Sequence, residues 1–149
     1  MIIPNEAAMA RLGAAIATAL QPGEAVCLSG PLGAGKSSLA RALIRALTTP
    51  DQEAPSPTFT LVQFYVGDRI KVAHFDLYRL TRAAEAYEIG LDEALDEGAA
   101  VIEWPERLEG QLPPDRLDIG ISLGEDPQVR HLRLDRHGAW EGRGLEFGG

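Results

Sequence analysis

Apolar side chains recur at three- and four-residue intervals over residues 5–20, NEAAMARLGAAIATAL, with Ala8, Met9, Leu12, Ile16 and Leu20 on one stripe. With Asn5 placed to cap it, this spacing predicts an amphipathic helix. Pro22 and Gly23 end that pattern. The run AVCLS at 25–29 is continuously apolar to its last residue, as in a strand covered on both faces within a parallel sheet. Helical spacing returns over 38–47, SLARALIRAL, where Leu39, Leu43 and Leu47 share a stripe. Residues 48–57 are polar and carry Pro50, Pro55 and Pro57, which predicts a loop.

Two strands are expected over 59–66 and 70–75, joined by a turn at Gly67 and Asp68. Residues 81–97 favour one helix, weak at Gly90 and ended by Gly98, and 99–102 form another short apolar run. Beyond it, 117–123 and 129–134 alternate apolar with polar residues, as half-exposed strands pairing as an antiparallel edge do. From Gly138 five of twelve residues are Gly, so a mobile tail over 138–149 is expected, with Trp140 incidental to it.

The segment between the first strand and the second helix changes the picture. GPLGAGKS at 30–37 matches GxxxxGK(S/T) with Gly30, Gly35, Lys36 and Ser37 in place. The glycines let backbone N–H groups turn inward around phosphates, the helix presents its positive end, Lys36 reaches the β and γ phosphates, and Ser37 offers a hydroxyl to Mg²⁺. An apolar strand before and an amphipathic helix after are the context this loop requires. The fold expected is therefore α/β: a P-loop NTPase, built as a three-layer sandwich with a mostly parallel central sheet and an antiparallel C-terminal edge. Residues 1–137 form its single domain.

Magnesium calls for carboxylates at strand ends on the same sheet edge. Asp76 closes the run at 72–75 and Glu103 closes the run at 99–102, so these two acids join Ser37 as candidates for a metal and water site. Ser56, Pro57 and Thr58 read by themselves as an ordinary loop. Trp104, directly after Glu103, reads as a core or interface anchor, and His74, facing the same side as Asp76, as a structural histidine. Arg79 and Arg82 read as solvated charges at a helix entry.

At 149 residues the chain suits one domain able to bury its own core. Its 14 Lys+Arg against 22 Asp+Glu give a net charge of −8, which disfavours direct binding of DNA or RNA, so any RNA is expected to be held by a partner. Cys27, the single cysteine, lies in the apolar run at 25–29 and reads as a buried thiol, with no intrachain disulfide possible. The N-terminal residues lack a basic cluster before an apolar core, and no run of about 18 apolar residues occurs, so a cytoplasmic protein is expected.

In their order and spacing GPLGAGKSS, SPTFTLV, HFDLYRL and VIEWPE resemble the small bacterial ATPase family TsaE, over about residues 4–106. The resemblance implies a subunit that acts with TsaB and TsaD in making threonylcarbamoyladenosine at adenine 37 of tRNA, resetting that core between turnovers rather than performing the transfer. It implies that residues 30–38, Gly30, Leu32, Gly33, Ala34, Gly35, Lys36, Ser37 and Ser38 among them, hold ATP. It further implies that Ser37 and Glu103 ligate Mg²⁺, Thr58 acts as a switch, Asp76 assists the metal or the attacking water, and Trp104 lies at the nucleotide site. The family commonly has Thr where this chain has Ser37, and both supply a hydroxyl. Hydrolysis by the chain alone is expected to be weak, with docking completing the site.

Three other readings rank below this one. A small-molecule kinase needs an Arg-rich lid, and the arginines that follow Glu103, Arg107, Arg116, Arg130 and Arg133 among them, are scattered. A GTPase switch lacks an NKxD element, and its one DxxG, at 135–138, falls too near the C-terminus. A nucleotide-gated binding module with incidental hydrolysis needs the same acids as an ATPase.

Overall fold

Among the described residues seven strands form one sheet. The structure, a computed structural model, describes residues 1–145. In chain order the elements are β1 (Ile2–Ile3), α1 (Glu6–Ala19), β2 (Ala25–Ser29), α2 (Lys36–Leu47), β3 (Val62–Val66), β4 (Lys71–Asp76), α3 (Ala84–Glu88), α4 (Leu91–Glu97), β5 (Ala99–Glu103), β6 (Arg116–Leu123) and β7 (Arg130–His137). The pairs β6-β2, β2-β5 and β5-β4 are parallel, whereas β3-β4, β6-β7 and β1-β7 are antiparallel. The mostly parallel centre and antiparallel C-terminal edge expected from the sequence are both present.

Alternation along the central strands sends side chains to two cores. Val26, Leu28, Val101, Leu117 and Ile119 pack with Leu12 and Ile16 of α1 and Leu39, Leu43 and Ile44 of α2. On the other face Ala25, Cys27, Phe75 and Ile102 pack with Ala86, Leu91 and Ala94 of α3 and α4. Three layers result because β2 and β5 are apolar on both faces and need cover on each. Asn5 caps α1 as expected, its side chain accepting from Ala8 N–H at 2.9 Å. Cys27 is buried, and its burial, reinforced by neighbouring Asp118, pushes the thiol pKa far upward, so it is an inert core residue.

Three local expectations are corrected, and one strand is added. The helix expected over 81–97 is two helices, because Gly90 adopts φ 103° and caps α4. The strand expected from Phe59 begins at Val62: Leu61 has φ 71°, and its N–H closes a turn onto the Pro57 carbonyl at 2.7 Å. The two-residue strand β1, too short for any periodicity, is defined by pairing with Arg130 and His131. Trp140 is not incidental but fully buried in the first core. Arg143 lies 4.4 Å over its ring and forms a two-pronged pair with Glu24, at 2.7 and 2.9 Å. Of the tail expected over 138–149, residues 146–149 lie outside the described residues.

Candidate functional site

Between Ser29 at the end of β2 and Lys36 at the start of α2, the loop folds back on itself to open the helix N-terminus. Gly30 makes this possible: at φ 143°, a Cβ there would sit 2.3 Å from the Ile121 carbonyl oxygen of β6. Gly30→Ala is therefore expected to cost at least about 2 kcal/mol, combining backbone strain with overpacking. A melting temperature within error of the parent protein would contradict it. Gly35, at φ 108°, sets the entry into α2.

Lys36 is the first residue of α2 and is only 5% exposed. Its Nζ donates to the carbonyls of Gly30, at 2.6 Å, and Pro31, at 3.0 Å, and lies 4.4 Å from the centroid of the Trp104 ring. Burial lowers its pKa from the usual lysine value, against the opposing pull of Glu103, Glu106 and Asp76.

Parallel pairing brings the acids to this loop. Asp76 at the end of β4 is in register with Glu103 at the end of β5, and Glu103 is in register with Leu28 of β2. Both acids are almost fully buried. The two oxygens of Glu103 are divided: Ser37 Oγ donates to Oε1 at 3.1 Å, and His74 Nε2 is 2.6 Å from Oε2. Asp76 accepts on Oδ2 from Thr58 Oγ1 at 3.0 Å and Ser56 Oγ at 3.4 Å, and on Oδ1 from Tyr78 N–H at 3.1 Å. A continuous polar wall thus runs from Ser37 through Glu103 and Asp76 to Thr58.

Trp104 follows Glu103 in the left-handed region, at φ 60°, which a bulky residue adopts only under backbone strain. This turn carries its ring over Lys36 and against Tyr78, with ring centroids 4.8 Å apart. The resulting cavity of about 260 Å³ is lined by Leu32, Gly33, Gly35, Lys36, Ser37, Ser38, Thr58, Asp76, Glu103 and Trp104, with Glu6, Ser56 and Arg130.

A family model described as threonylcarbamoyl adenosine biosynthesis protein TsaE matches residues 3–132. The chain belongs to the TsaE family. Proteins named tRNA threonylcarbamoyladenosine biosynthesis protein TsaE are similar to it over most of its length. That of Rickettsia felis is 35% identical over 123 residues, covering 83% of this chain and 72% of its own length. The Aquifex aeolicus protein is 39% identical over 108 residues, 72% of this chain and 77% of that one. The Bacillus subtilis protein is 35% identical over 122 residues, 81% and 73%. The crystal structure of Bacillus subtilis YdiB superposes with a TM-score of 0.77 at 27% identity, covering 95% of this chain and 87% of that one. TsaE is thus a family of tRNA threonylcarbamoyladenosine biosynthesis, and the match runs through β6 into β7, beyond the stretch at 4–106 where the motifs lie.

In this TsaE chain the fold brings together Lys36, Ser37, Thr58, Asp76, Glu103 and Trp104, six of the residues singled out in the sequence. Gly30 and Ala34 do not line the cavity, and Ala34 is buried behind it. Arg130 was indistinguishable from other scattered arginines. Its Nε donates to the Ala34 carbonyl at 2.8 Å across a separation of 96 residues, and its Nη1 to the Pro127 and Val129 carbonyls at 2.7 and 3.0 Å. It braces the glycine loop from the first residue of β7, and no local motif could have revealed this. Arg79 stands apart, 5.3 Å from the exposed ring of Phe59.

Proposed function

We propose that this chain binds ATP with Mg²⁺ in the cavity beside Lys36 and hydrolyses it as the ATPase subunit of the threonylcarbamoyladenosine machinery. Docked on TsaB and TsaD, which hold the tRNA, it resets that core between turnovers and touches tRNA only indirectly. The observation that carries the reading is a pair of hydrogen bonds, Ser37–Glu103 and Thr58–Asp76, whose two acids close neighbouring strands beside a glycine loop and a buried lysine. Among the described residues no helix is long and apolar enough to cross a membrane. A cytoplasmic setting is part of the proposal.

The donor set suits the metal. Ser37, Glu103 and Asp76 offer only oxygen, as a hard cation prefers, and among the described residues no group of three His, Cys, Asp or Glu forms a protein-only metal cage. That is the donor count expected where phosphate and water complete the shell. When bound, Mg²⁺ supplies charge neutralisation on the phosphates.

The rest falls to the chain. Backbone N–H groups of the loop 30–38 and the Lys36 ammonium hold the triphosphate. Ser37 and Glu103 hold the metal, with Asp76 beside them. Asp76 also orients the attacking water, and Thr58, held by Asp76, serves as the switch. Trp104, with Tyr78 packed against its ring, walls the site against bulk water. Arg130 is the only arginine lining the cavity among the described residues, and its Nε and Nη1 are committed to backbone carbonyls. A free arginine to stabilise the transition state must then come from elsewhere, so slow hydrolysis alone and stimulation by the core are expected.

The test measures phosphate release by the chain alone and with TsaB, TsaD and tRNA. Stimulation by the core supports the reading, whereas no stimulation, with modification cycling unaffected by omitting the chain, defeats it. Glu103→Ala is expected to lower hydrolysis by about 10²-fold or more while the chain still docks on the core. Retained cellular function without turnover would instead make the chain a nucleotide-gated binding module.

A further inference from the structure

His74 is a buried polar residue that the proposed reaction does not use. It sits on β4 between Val72 and Asp76 on one face of the strand and is 1% exposed. Its neighbours on that face, Val72 and Val101, are core residues, and a strand there needs nothing polar. The ring is also incompletely satisfied: Nδ1 has no hydrogen-bond partner among the described residues. A buried imidazole with one nitrogen unpaired is a poorer core filler than leucine or phenylalanine of similar size. What the ring has in exchange is one contact, Nε2 to Glu103 Oε2 at 2.6 Å.

That contact divides the work of the carboxylate. With Oε2 facing His74, the other oxygen, Oε1, is the one beside Ser37 Oγ at 3.1 Å. A free glutamate side chain on a strand end rotates about its final torsion and presents either oxygen or both. A donor on Oε2, buried and fixed to the neighbouring strand, removes that freedom. Because a carboxylate only accepts, Nε2 carries the hydrogen, and Nδ1 is then the nitrogen left without a partner.

We propose that His74 is a positioning residue for magnesium: its Nε2–H pins Glu103 Oε2, so that Oε1 stands ready beside the Ser37 hydroxyl as a preset pair of metal ligands. This rests on the nucleotide reading above and adds to it a residue that touches neither nucleotide nor metal. Outer partners of this kind set the orientation of a ligating group, and their loss typically costs about 10- to 100-fold in metal affinity.

The experiment separates metal binding from nucleotide binding and from the fold. Mn²⁺ affinity of the ATP-loaded protein is measured by the free-ion EPR signal, and metal-free ATP affinity by titration with a fluorescent ATP analogue in EDTA. For His74→Leu, which fills the space without a donor, Mn²⁺ binding is expected to weaken about 10-fold or more. Metal-free nucleotide affinity should stay within about 2-fold, since the loop amides and Lys36 are untouched. His74→Gln, whose amide can approach the place of Nε2, should recover most of the loss. Wild-type Mn²⁺ affinity in folded His74→Leu overturns the proposal, as does equal weakening in His74→Gln and His74→Leu. Should His74→Leu fail to fold, His74→Asn, with a shorter amide, is expected to show the same weakening, and unchanged affinity there overturns the proposal. A parent protein that binds ATP analogue but shows no Mn²⁺ dependence refutes the positioning role alone, whereas one that binds no nucleotide refutes the nucleotide reading beneath it.

Discussion

Lys36→Met is expected to lose ATP. The ammonium stands at the base of the glycine loop, and in the ATP complex it would give charge-assisted hydrogen bonds to phosphate oxygens. Each such bond is worth about 1.5–3 kcal/mol, so losing two weakens nucleotide affinity by about 10² to 10³-fold or more. Hydrolysis in the presence of the TsaB and TsaD core should fall by a comparable factor, because the same charge acts in the transition state. Methionine keeps an apolar stem against Trp104, which lies 4.4 Å from Nζ, so the fold is retained. Lys36→Arg does not restore function, because a planar fork cannot occupy the place of a compact ammonium bonded to the Gly30 and Pro31 carbonyls. Fluorescent-nucleotide titration reads the affinity and circular dichroism the fold. Binding of the methionine variant within about 3-fold of the parent would remove Lys36 from the nucleotide site, and with it the main reading.

The second large effect lies far from that site. Trp140→Ala is expected to destabilise the protein by about 3–5 kcal/mol, the range for emptying a large buried aromatic. Trp140 is wholly enclosed, and the cavity left would be walled by the first core and by Arg143 stacked above. Arg143 ties this corner down through Glu24, a buried acid that would lose part of its support if the corner loosened. Trp140→Phe should cost less than about 1.5 kcal/mol. It keeps most of the ring and removes an indole N–H that has no partner among the described residues. Urea denaturation compares the two. Equal, small losses for both variants would show that Trp140 is not a structural member of the core.

Helices α1 and α2 were legible because each buries one face only, and one-sided burial writes its spacing into the sequence. The buried strands β2 and β5 were legible as short apolar runs, and β6 and β7 as alternating ones. The glycine loop was legible because phosphate cradles need particular residues at particular spacings. The break at Gly90 was less so: the Ala-rich composition around it suits one helix, and only the packing of α3 and α4 as separate pieces shows that the chain turns there. Leu61 carried no turn signal, yet it occupies the left-handed region because its carbonyl accepts from Asp76 N–H at 3.0 Å.

His74 and Arg130 mark the boundary more sharply. Both residue types can be core, surface or site, and what decides is which atom lies at the end of the side chain: Glu103 Oε2 for one, the Ala34 carbonyl for the other. By itself the sequence determined that this is an α/β chain with a phosphate-type loop between a strand and a helix, and that acids stand at two strand ends. The tertiary structure alone decided that β4 and β5 are neighbours in register, that Thr58 closes on Asp76, that Arg130 braces the loop, and that Trp140 belongs to the core. The reason is one of range. Burial on one face of a helix or strand repeats every few residues, whereas pairing between distant segments depends on which chain surfaces the fold brings within reach of a hydrogen bond.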